Sequence, residues 1–121
     1  MTMNLSRLSL HGVQQLCYEK SKSAGWWDGI VVEDAVPTKL VLIHGEISEA
    51  MEGFRKDLMD DHLPHRKNME VELADAVIRI FDLASAMGYN IQEAMEDKMA
   101  YNAIRLDHKK EARESAGGKK F

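Results

Sequence analysis

Apolar residues recur every three or four positions along most of this chain, and no other feature constrains its fold as strongly. This spacing places them on one face of a helix, whereas a half-buried strand requires strict alternation. It predicts four helices, over residues 5–23, 37–59, 69–88 and 91–106. Neither an alternating strand pattern nor an internal repeat competes with them. We therefore expect an all-α fold, and specifically a four-helix bundle.

Prolines, glycines and capping residues punctuate these helices. Pro37 is acceptable in the first turn of a helix, and Pro64 lies in the turn-rich run DDHLPHRKN. Gly88 is a natural left-handed terminator for the third helix, and Asn90 can cap the fourth. The segment AGWWDGIVVEDA predicts an ordered connection between the first two helices, with a brief extended stretch at 30–32.

Length and charge limit the classes of protein to consider. The 121 residues fit one domain, with a core from about residue 5 to 106 and a charged, flexible tail at 107–121. A net charge of -4 provides no general attraction for nucleic acid or an anionic membrane. Cys17 is a single cysteine, and no apolar stretch approaches the roughly 20 residues that a membrane helix needs. These features predict a soluble, cytoplasmic protein.

Two pairs of carboxylates stand at helical spacing on neighbouring predicted helices. Glu46 and Glu49 share one face of the second helix, and Glu72 and Asp75 share one face of the third. Two antiparallel helices would bring the four together beside the core, where bare carboxylates repel one another and lose hydration. A bound cation would offset both the repulsion and the lost hydration. Oxygen ligands without cysteine or histidine predict magnesium, with manganese as a possible substitute.

Two other interpretations of these carboxylates were weighed. They could lie on a solvated helix face, where Arg79, one turn beyond Asp75, could pair with them. They could also belong to a di-iron bundle, but such proteins use Glu-x-x-His, and none of the five histidines has a glutamate three residues before it. The two matched pairs favour a magnesium-type site.

A basic face replaces the expected core in the last part of the fourth helix. Lys98, Asn102 and Arg105 follow one another at four- and three-residue steps, so they project together. Two cations and an amide suit a phosphate chain, because Lys or Arg beside a metal ion stabilises charge during phosphoryl transfer. The alternative is that the bundle ends near Met99 and the later turns are solvated. Trp26 and Trp27 either stack on a nucleobase or fill the core.

Together these motifs resemble the MazG-like, all-α nucleoside triphosphate pyrophosphohydrolases. The resemblance runs from about Trp26 to Arg105, through GWWDG, LIHGEISEAMEGFR, VELADAVIRIFDLASAMG and KMAYNAIR. It is carried mainly by the paired Glu-x-x-Glu and Glu-x-x-Asp motifs on successive helices, and by Lys-x-x-x-Asn-x-x-Arg. The GWW and LIH-x-E-x-S-E-A segments look most like those of short, single-domain members from bacteria and phages.

The resemblance implies a fold, an activity and residue roles. It implies magnesium-dependent cleavage of a nucleoside or deoxynucleoside triphosphate between the α and β phosphates, giving the monophosphate and pyrophosphate. It also implies a homodimer or homotetramer, in which a second subunit completes the bundle and the pocket. The residues that match the family's functional positions fall into three groups: Glu46, Glu49, Glu72 and Asp75 for the metal and catalysis; Lys98, Asn102 and Arg105 for the phosphates or sugar; and Trp26 or Trp27 for the base.

Two alternative functions remain open from the sequence. A helical interaction module would use the acidic and basic faces to bind a protein partner, and would tolerate substitution of Glu46 or Glu72. A hydrolase of the same fold could instead act on nucleoside diphosphates or a nucleotide-like metabolite. Where other family members carry an aromatic residue beyond the first glutamate pair, this chain has Arg55 and Lys56, so the preferred base is open.

Overall fold

The computed structural model of the protein describes residues 3–105 and 117–118. Four α-helices follow one another: α1 (Leu10–Ser23), α2 (Val32–Arg55), α3 (Asn68–Ala86) and α4 (Ile91–Ile104). Outside them, the described backbone forms turns and one isolated antiparallel bridge between Met59 and Lys67. The predicted all-α fold with four helices is confirmed. Apart from residues 117 and 118, the predicted tail at 107–121 lies outside the described residues.

The chain divides into two compact units, at residues 1–89 and 90–121. The first contains α1, α2 and α3, and the second contains α4. Within the first unit, α3 packs against both α1 and α2. None of the helices in the described part of the chain is long and apolar enough to cross a membrane.

Two contacts show that α2 and α3 run antiparallel. Gly53, near the end of α2, lies against Asn68, the first residue of α3. Glu46, further back along α2, pairs with Arg79, further along α3. Ala50 of α2 and Ala76 of α3 are buried as well. Small residues on this face allow the two backbones to approach closely.

Polar contacts fasten α1 and the connection after it to α3. The fully buried side chain of Gln14 donates from Nε2 to Oγ of Ser85 at 2.9 Å and to the carbonyl oxygen of Tyr89 at 2.8 Å. From the connection, Nε1 of Trp27 donates to Oδ1 of Asp82 at 2.8 Å. The buried apolar residues of the described chain are Trp27, Ala50, Ala76, Phe81, Leu83 and Ala84.

The apolar residues that recur along α2 at three- and four-residue steps, among them Ile47 and Phe54, form a stripe whose spacing predicts a core-facing surface. In the structure this apolar stripe does not form the core of the unit. Ile47, Met51 and Phe54 are 49%, 62% and 69% exposed. The face of α2 that meets α3 contains Glu46 together with the buried Ala50 and Gly53. Each residue turns a helix by ~100°, so contact through Glu46 directs its neighbour Ile47 away from α3. The stripe is thus left as an exposed apolar surface.

Two helices begin at residues other than those predicted. α1 begins at Leu10 rather than residue 5, because Oγ of Ser9 accepts from the backbone N–H of Gly12 and caps the helix there. α2 begins at Val32, five residues before Pro37, and its first turn contains Glu33 and an aspartate. Acidic side chains there interact favourably with the helix dipole. The extended stretch predicted at 30–32 is reduced to the residue preceding the helix.

Backbone geometry explains where the other ends fall. α2 ends at Arg55 because Asp57 adopts a left-handed φ of 50°, and the N–H of Leu58 donates to the carbonyl of Gly53 at 2.9 Å. Gly88, with φ of 75°, stops α3 as predicted. Oδ1 of Asn90 accepts from the N–H of Glu93 at 3.0 Å, which confirms the predicted cap of α4.

Candidate metal centre

Three carboxylates from α2 and α3 meet in the first unit. Glu72 and Asp75 lie one turn apart on α3, and the antiparallel packing brings Glu46 of α2 beside them. Each offers one oxygen, and the three oxygens lie within 4.8 Å of one another. All three residues are half-buried. We call Glu46, Glu72 and Asp75 the carboxylate cluster.

Glu49, the fourth predicted ligand, stands at the edge of this cluster. Its side chain is exposed, and its oxygens are not within the 4.8 Å set. It nevertheless interacts with Glu72, because hydrogen bonding to Glu49 and the charge of Glu49 both raise the pKa of Glu72. The structure therefore brings three of the four predicted ligands together and keeps the fourth next to Glu72.

Glu72 lies at the electrostatic centre of the cluster. Its pKa is raised from 4.5 to about 8 because only a protonated Glu72 can hydrogen-bond to Glu46, because burial disfavours its charge, and because Glu49 is a further acidic neighbour. Oε1 accepts from Nδ2 of Asn68 at 3.3 Å, whereas the buried Oε2 has no donor among the described residues. A protonated Glu72 could donate to Glu46, but an ionised one leaves Oε2 facing other carboxylates. That oxygen requires either a proton or a cation.

Arg79 partly balances the charge of the cluster. Its Nε donates to Oε1 of Glu46 at 3.1 Å, and the two side chains are 41% and 13% exposed. The pKa of Asp75 is raised, first by burial and then by the charge of Glu46, although Arg79 lowers it. The pairing considered from the sequence is therefore present, but one guanidinium cannot neutralise the three clustered carboxylates and Glu49. An all-oxygen donor set with an unpartnered buried oxygen fits Mg²⁺ or Mn²⁺.

The loop between α2 and α3 and the first residue of α3 contribute two polar side chains that the sequence analysis did not identify. Asp60 is 6% exposed, and its Oδ2 accepts from the backbone N–H groups of His62 at 3.1 Å and Leu63 at 2.9 Å. Its charge also raises the pKa of Asp75. Asn68 donates to both Asp60 and Glu72. The available signal was the four-residue step from Asn68 to Glu72, which places both on one helix face.

The two tryptophans have different environments. Trp27 is 8% exposed, packs edge-on to Tyr18 with a centroid separation of 6.3 Å, and has Nζ of Lys39 over its ring at 4.6 Å. It is a core residue. Trp26 is 69% exposed and lines an open cavity of about 440 Å³ together with Asp34 and Lys39. Of the two candidates for base contact, Trp26 is therefore the one with an accessible ring.

The predicted phosphate-binding residues belong to the second unit. Lys98 and Asn102 lie on α4, and Arg105 follows its last residue. Nζ of Lys98 lies 4.9 Å from the ring centroid of Tyr101, and Cζ of Arg105 lies 5.7 Å from it. Both cations therefore lie close to the same aromatic ring of the second unit. Their contact with phosphate stays a prediction.

Comparisons with known proteins identify no relative. No family model matches the chain, and neither a curated protein nor a solved structure matches it. The resemblance to MazG-like enzymes therefore rests on the motifs quoted above. Those motifs and the geometry of the carboxylate cluster are the features of this chain that indicate a function.

Proposed function

We propose that this protein is a MazG-like, Mg²⁺-dependent nucleotide pyrophosphohydrolase. It cleaves a nucleoside or deoxynucleoside triphosphate between the α and β phosphates, releasing the monophosphate and pyrophosphate. The observation that carries this proposal is the carboxylate cluster, in which three oxygens converge and Oε2 of Glu72 lacks a donor among the described residues. A divalent cation would supply the partner that these residues do not, and Mg²⁺ held by carboxylates in enzymes commonly binds substrate phosphates as well.

In this proposal, Glu46, Glu72 and Asp75 hold the metal, and Glu49 adjoins it. Bound Mg²⁺ supplies charge neutralisation and lowers the pKa of a coordinated water. The proton of the attacking water needs a carboxylate within hydrogen-bond reach. Glu46 already accepts from Arg79, whereas Glu49 is exposed at the edge of the cluster. We therefore assign the general base to Glu49.

The remaining roles follow from the charge that develops during hydrolysis. Water oxygen forms a bond to the α phosphorus, the bond from that phosphorus to the bridging oxygen breaks, and the electron pair leaves with pyrophosphate. The resemblance to MazG-like enzymes assigns Lys98 to the charge on the departing group, and Asn102 and Arg105 to phosphate or sugar. Trp26 is the residue assigned to the base, because its ring is exposed.

The exposed apolar surface of α2 supports a homo-oligomer. Met51 and Phe54 are among its most exposed members, and Val41 is 67% exposed. Large apolar side chains exposed on one helix commonly mark a protein interface. We propose that a second copy of the chain covers it, as a homodimer or as half of a homotetramer.

A pyrophosphate-release assay tests the proposed activity. The full chain is incubated with a panel of nucleoside and deoxynucleoside triphosphates and Mg²⁺, and products are separated chromatographically. We expect monophosphate and pyrophosphate from at least one substrate. Monophosphate and orthophosphate formed from nucleoside diphosphates included in the panel would instead indicate the diphosphate-type activity. No turnover with any triphosphate, in Mg²⁺ or Mn²⁺, would refute the proposal.

Matched variants assign the activity to the cluster. Glu49→Gln and Asp75→Asn should reduce kcat by at least about 100-fold, because each removes a group placed at the reacting water or its metal. Glu70→Gln is the control, since Glu70 is on α3 two residues from Glu72 and pairs with the exposed Arg66. It should retain the wild-type rate. Equal activity in all three variants would show that the cluster is not the active site.

A further inference from the structure

Asn68 joins three parts of the first unit next to the carboxylate cluster. Its Nδ2 lies 3.3 Å from Oε1 of Glu72 and 3.4 Å from Oδ1 of Asp60. Its backbone N–H donates to the carbonyl oxygen of Leu58 at 3.0 Å. One residue therefore links the start of α3, the loop before it and a cluster carboxylate.

The backbone of α2 holds the other side of the same amide. A Cβ atom built on Gly53 would lie 2.0 Å from Oδ1 of Asn68 and 2.8 Å from its Cγ. Gly53 is buried in the α2–α3 contact, so any side chain there would displace the amide. With Oδ1 against Gly53, Nδ2 is directed to the two carboxylates. This orientation is also the one that gives both carboxylates a donor.

Asp60 provides a fixed anchor for this arrangement. Its Oδ2 accepts two backbone N–H groups of its own loop, from His62 and Leu63. Its Oδ1 accepts from Nδ2 of Asn68 at 3.4 Å. The loop is also closed by the bridge between Met59 and Lys67. Several hydrogen bonds therefore fix the position of Asp60. Because Asn68 donates to both Asp60 and Glu72, the position of Asp60 constrains that of Glu72.

We propose that Asn68 is a positioning residue for the metal centre. By engaging Oε1 of Glu72, it leaves the buried Oε2 as the oxygen available to a cation shared with Glu46 and Asp75. Hydrogen bonds to ligating carboxylates orient them, and losing such a bond weakens metal affinity by about 10–100-fold. The inference rests on the proposed function only for its metal, not for hydrolysis of a triphosphate.

Manganese binding by the full chain tests this role directly. Mn²⁺ is titrated into wild type, Asn68→Ala and Asn68→Ser, and free Mn²⁺ is measured by electron paramagnetic resonance. We expect both variants to bind Mn²⁺ about 10–100-fold more weakly than wild type. Gly53→Ala should weaken binding in the same direction, because its new methyl group displaces an unchanged Asn68. Asn4→Ala, which alters a hydrogen bond in an exposed turn, is the matched control and should bind as wild type does.

Kinetics and folding separate positioning from a purely structural role. At saturating metal, kcat of the Asn68 variants should recover to within a few-fold of wild type, while the metal concentration giving half-maximal rate rises about 10–100-fold. The helical content of the metal-free variants should be unchanged. Unaltered Mn²⁺ affinity in both Asn68 variants would overturn the inference, as would loss of helical structure in both.

The outcomes also separate this inference from the proposed function. If wild type binds Mn²⁺ but releases no pyrophosphate, the proposed activity fails and the Mn²⁺ affinities still decide the role of Asn68. If pyrophosphate is released and the Asn68 variants bind Mn²⁺ normally, the inference alone fails. A wild-type protein that binds no Mn²⁺ would overturn both.

Discussion

Glu72 is the residue whose protonation most affects the charge of the cluster. It faces Glu46 and Glu49 from α2 and Asp75 on its own helix, while Arg79 engages Glu46. Its folded-state pKa of about 8 exceeds the ordinary value of 4.5. Between these values, the folded chain holds a proton that the unfolded chain has released. In the metal-free protein, the contribution of Glu72 to the free energy of unfolding is therefore fully present below pH 4.5. It is lost as the pH rises to about 8.

This proton linkage gives a prediction for thermal unfolding. In EDTA, the wild-type melting temperature should fall between pH 5 and pH 8, and Mg²⁺ should raise it more at pH 8, where the cation replaces the lost proton. Glu72→Gln should flatten the metal-free dependence and remove stabilisation by Mg²⁺. Circular dichroism melts measure both effects, with Glu70→Gln as control. A metal-free melting temperature that does not change with pH would contradict the assignment.

The tryptophan pair offers a second comparison between single residues. Trp27→Phe removes the donor to Asp82 and leaves unfilled space in the core, so it should lower the free energy of unfolding by about 2–4 kcal/mol. Trp26→Phe changes an exposed ring and should alter it by less than about 0.5 kcal/mol. Urea denaturation measures both values. Equal destabilisation would contradict the different environments of the two rings.

At the scale of elements, the packing of α2 against α3 determines which side chains meet. Gly53 and Ala50 allow close approach, and Glu46 faces α3 on the same side of the helix. A helix cannot present all its faces to one neighbour, so burying this side leaves the apolar stripe of α2 exposed. The packing of this one face of α2 against α3 therefore both forms the carboxylate cluster and leaves the apolar stripe exposed.

The start of α4 gives a prediction about a single element. Oδ1 of Asn90 accepts the N–H of Glu93, which the first turn of the helix would otherwise leave unbonded. Asn90→Ala should lower the free energy of opening α4 by about 1 kcal/mol, whereas Asn90→Ser, which keeps an acceptor, should cost less. Amide hydrogen exchange within α4 measures the difference. Identical exchange in the two variants would contradict a capping role.

At the scale of the whole molecule, many large apolar side chains of the described chain are exposed. Large exposed side chains occur on both α2 and α3, among them Leu40, Val41, Ile47, Met51, Phe54, Leu73, Val77 and Ile78. The core of the described chain buries only six apolar residues, and three of them are alanines, so most of the large apolar side chains stay outside it. Self-association would remove this surface from water.

The exposed apolar side chains therefore predict that the chain self-associates in solution. Sedimentation velocity should show a dimer or tetramer for wild type. Met51→Lys combined with Phe54→Lys should shift it toward monomer, because charges would be buried in the apolar interface. Gln15→Lys, at an exposed position on α1, is the control and should leave the assembly unchanged. A wild-type monomer at all accessible concentrations would refute the proposed homo-oligomer.

The candidate site was partly predictable because much of it is local. A three-residue step places Glu72 and Asp75 on one face of any helix, and the same holds for Glu46 and Glu49. Asp60 and Asn68 were missed because their roles depend on closure of the α2–α3 loop. Likewise, nothing in the sequence separated Trp26 from Trp27, since one ring is buried only through its contacts with other elements.

Local periodicity by itself determined the all-α fold, the number of helices, their approximate extents and the pairing of carboxylates within each helix, because these depend on residues one turn apart. Tertiary structure decided which face of α2 meets α3. Close approach at Ala50 and Gly53 placed Glu46 beside Glu72 and left Phe54 exposed. The sequence predicted that the apolar stripe of α2 would face the core. Periodicity identifies an apolar face of a helix, but it does not identify the element that packs against that face.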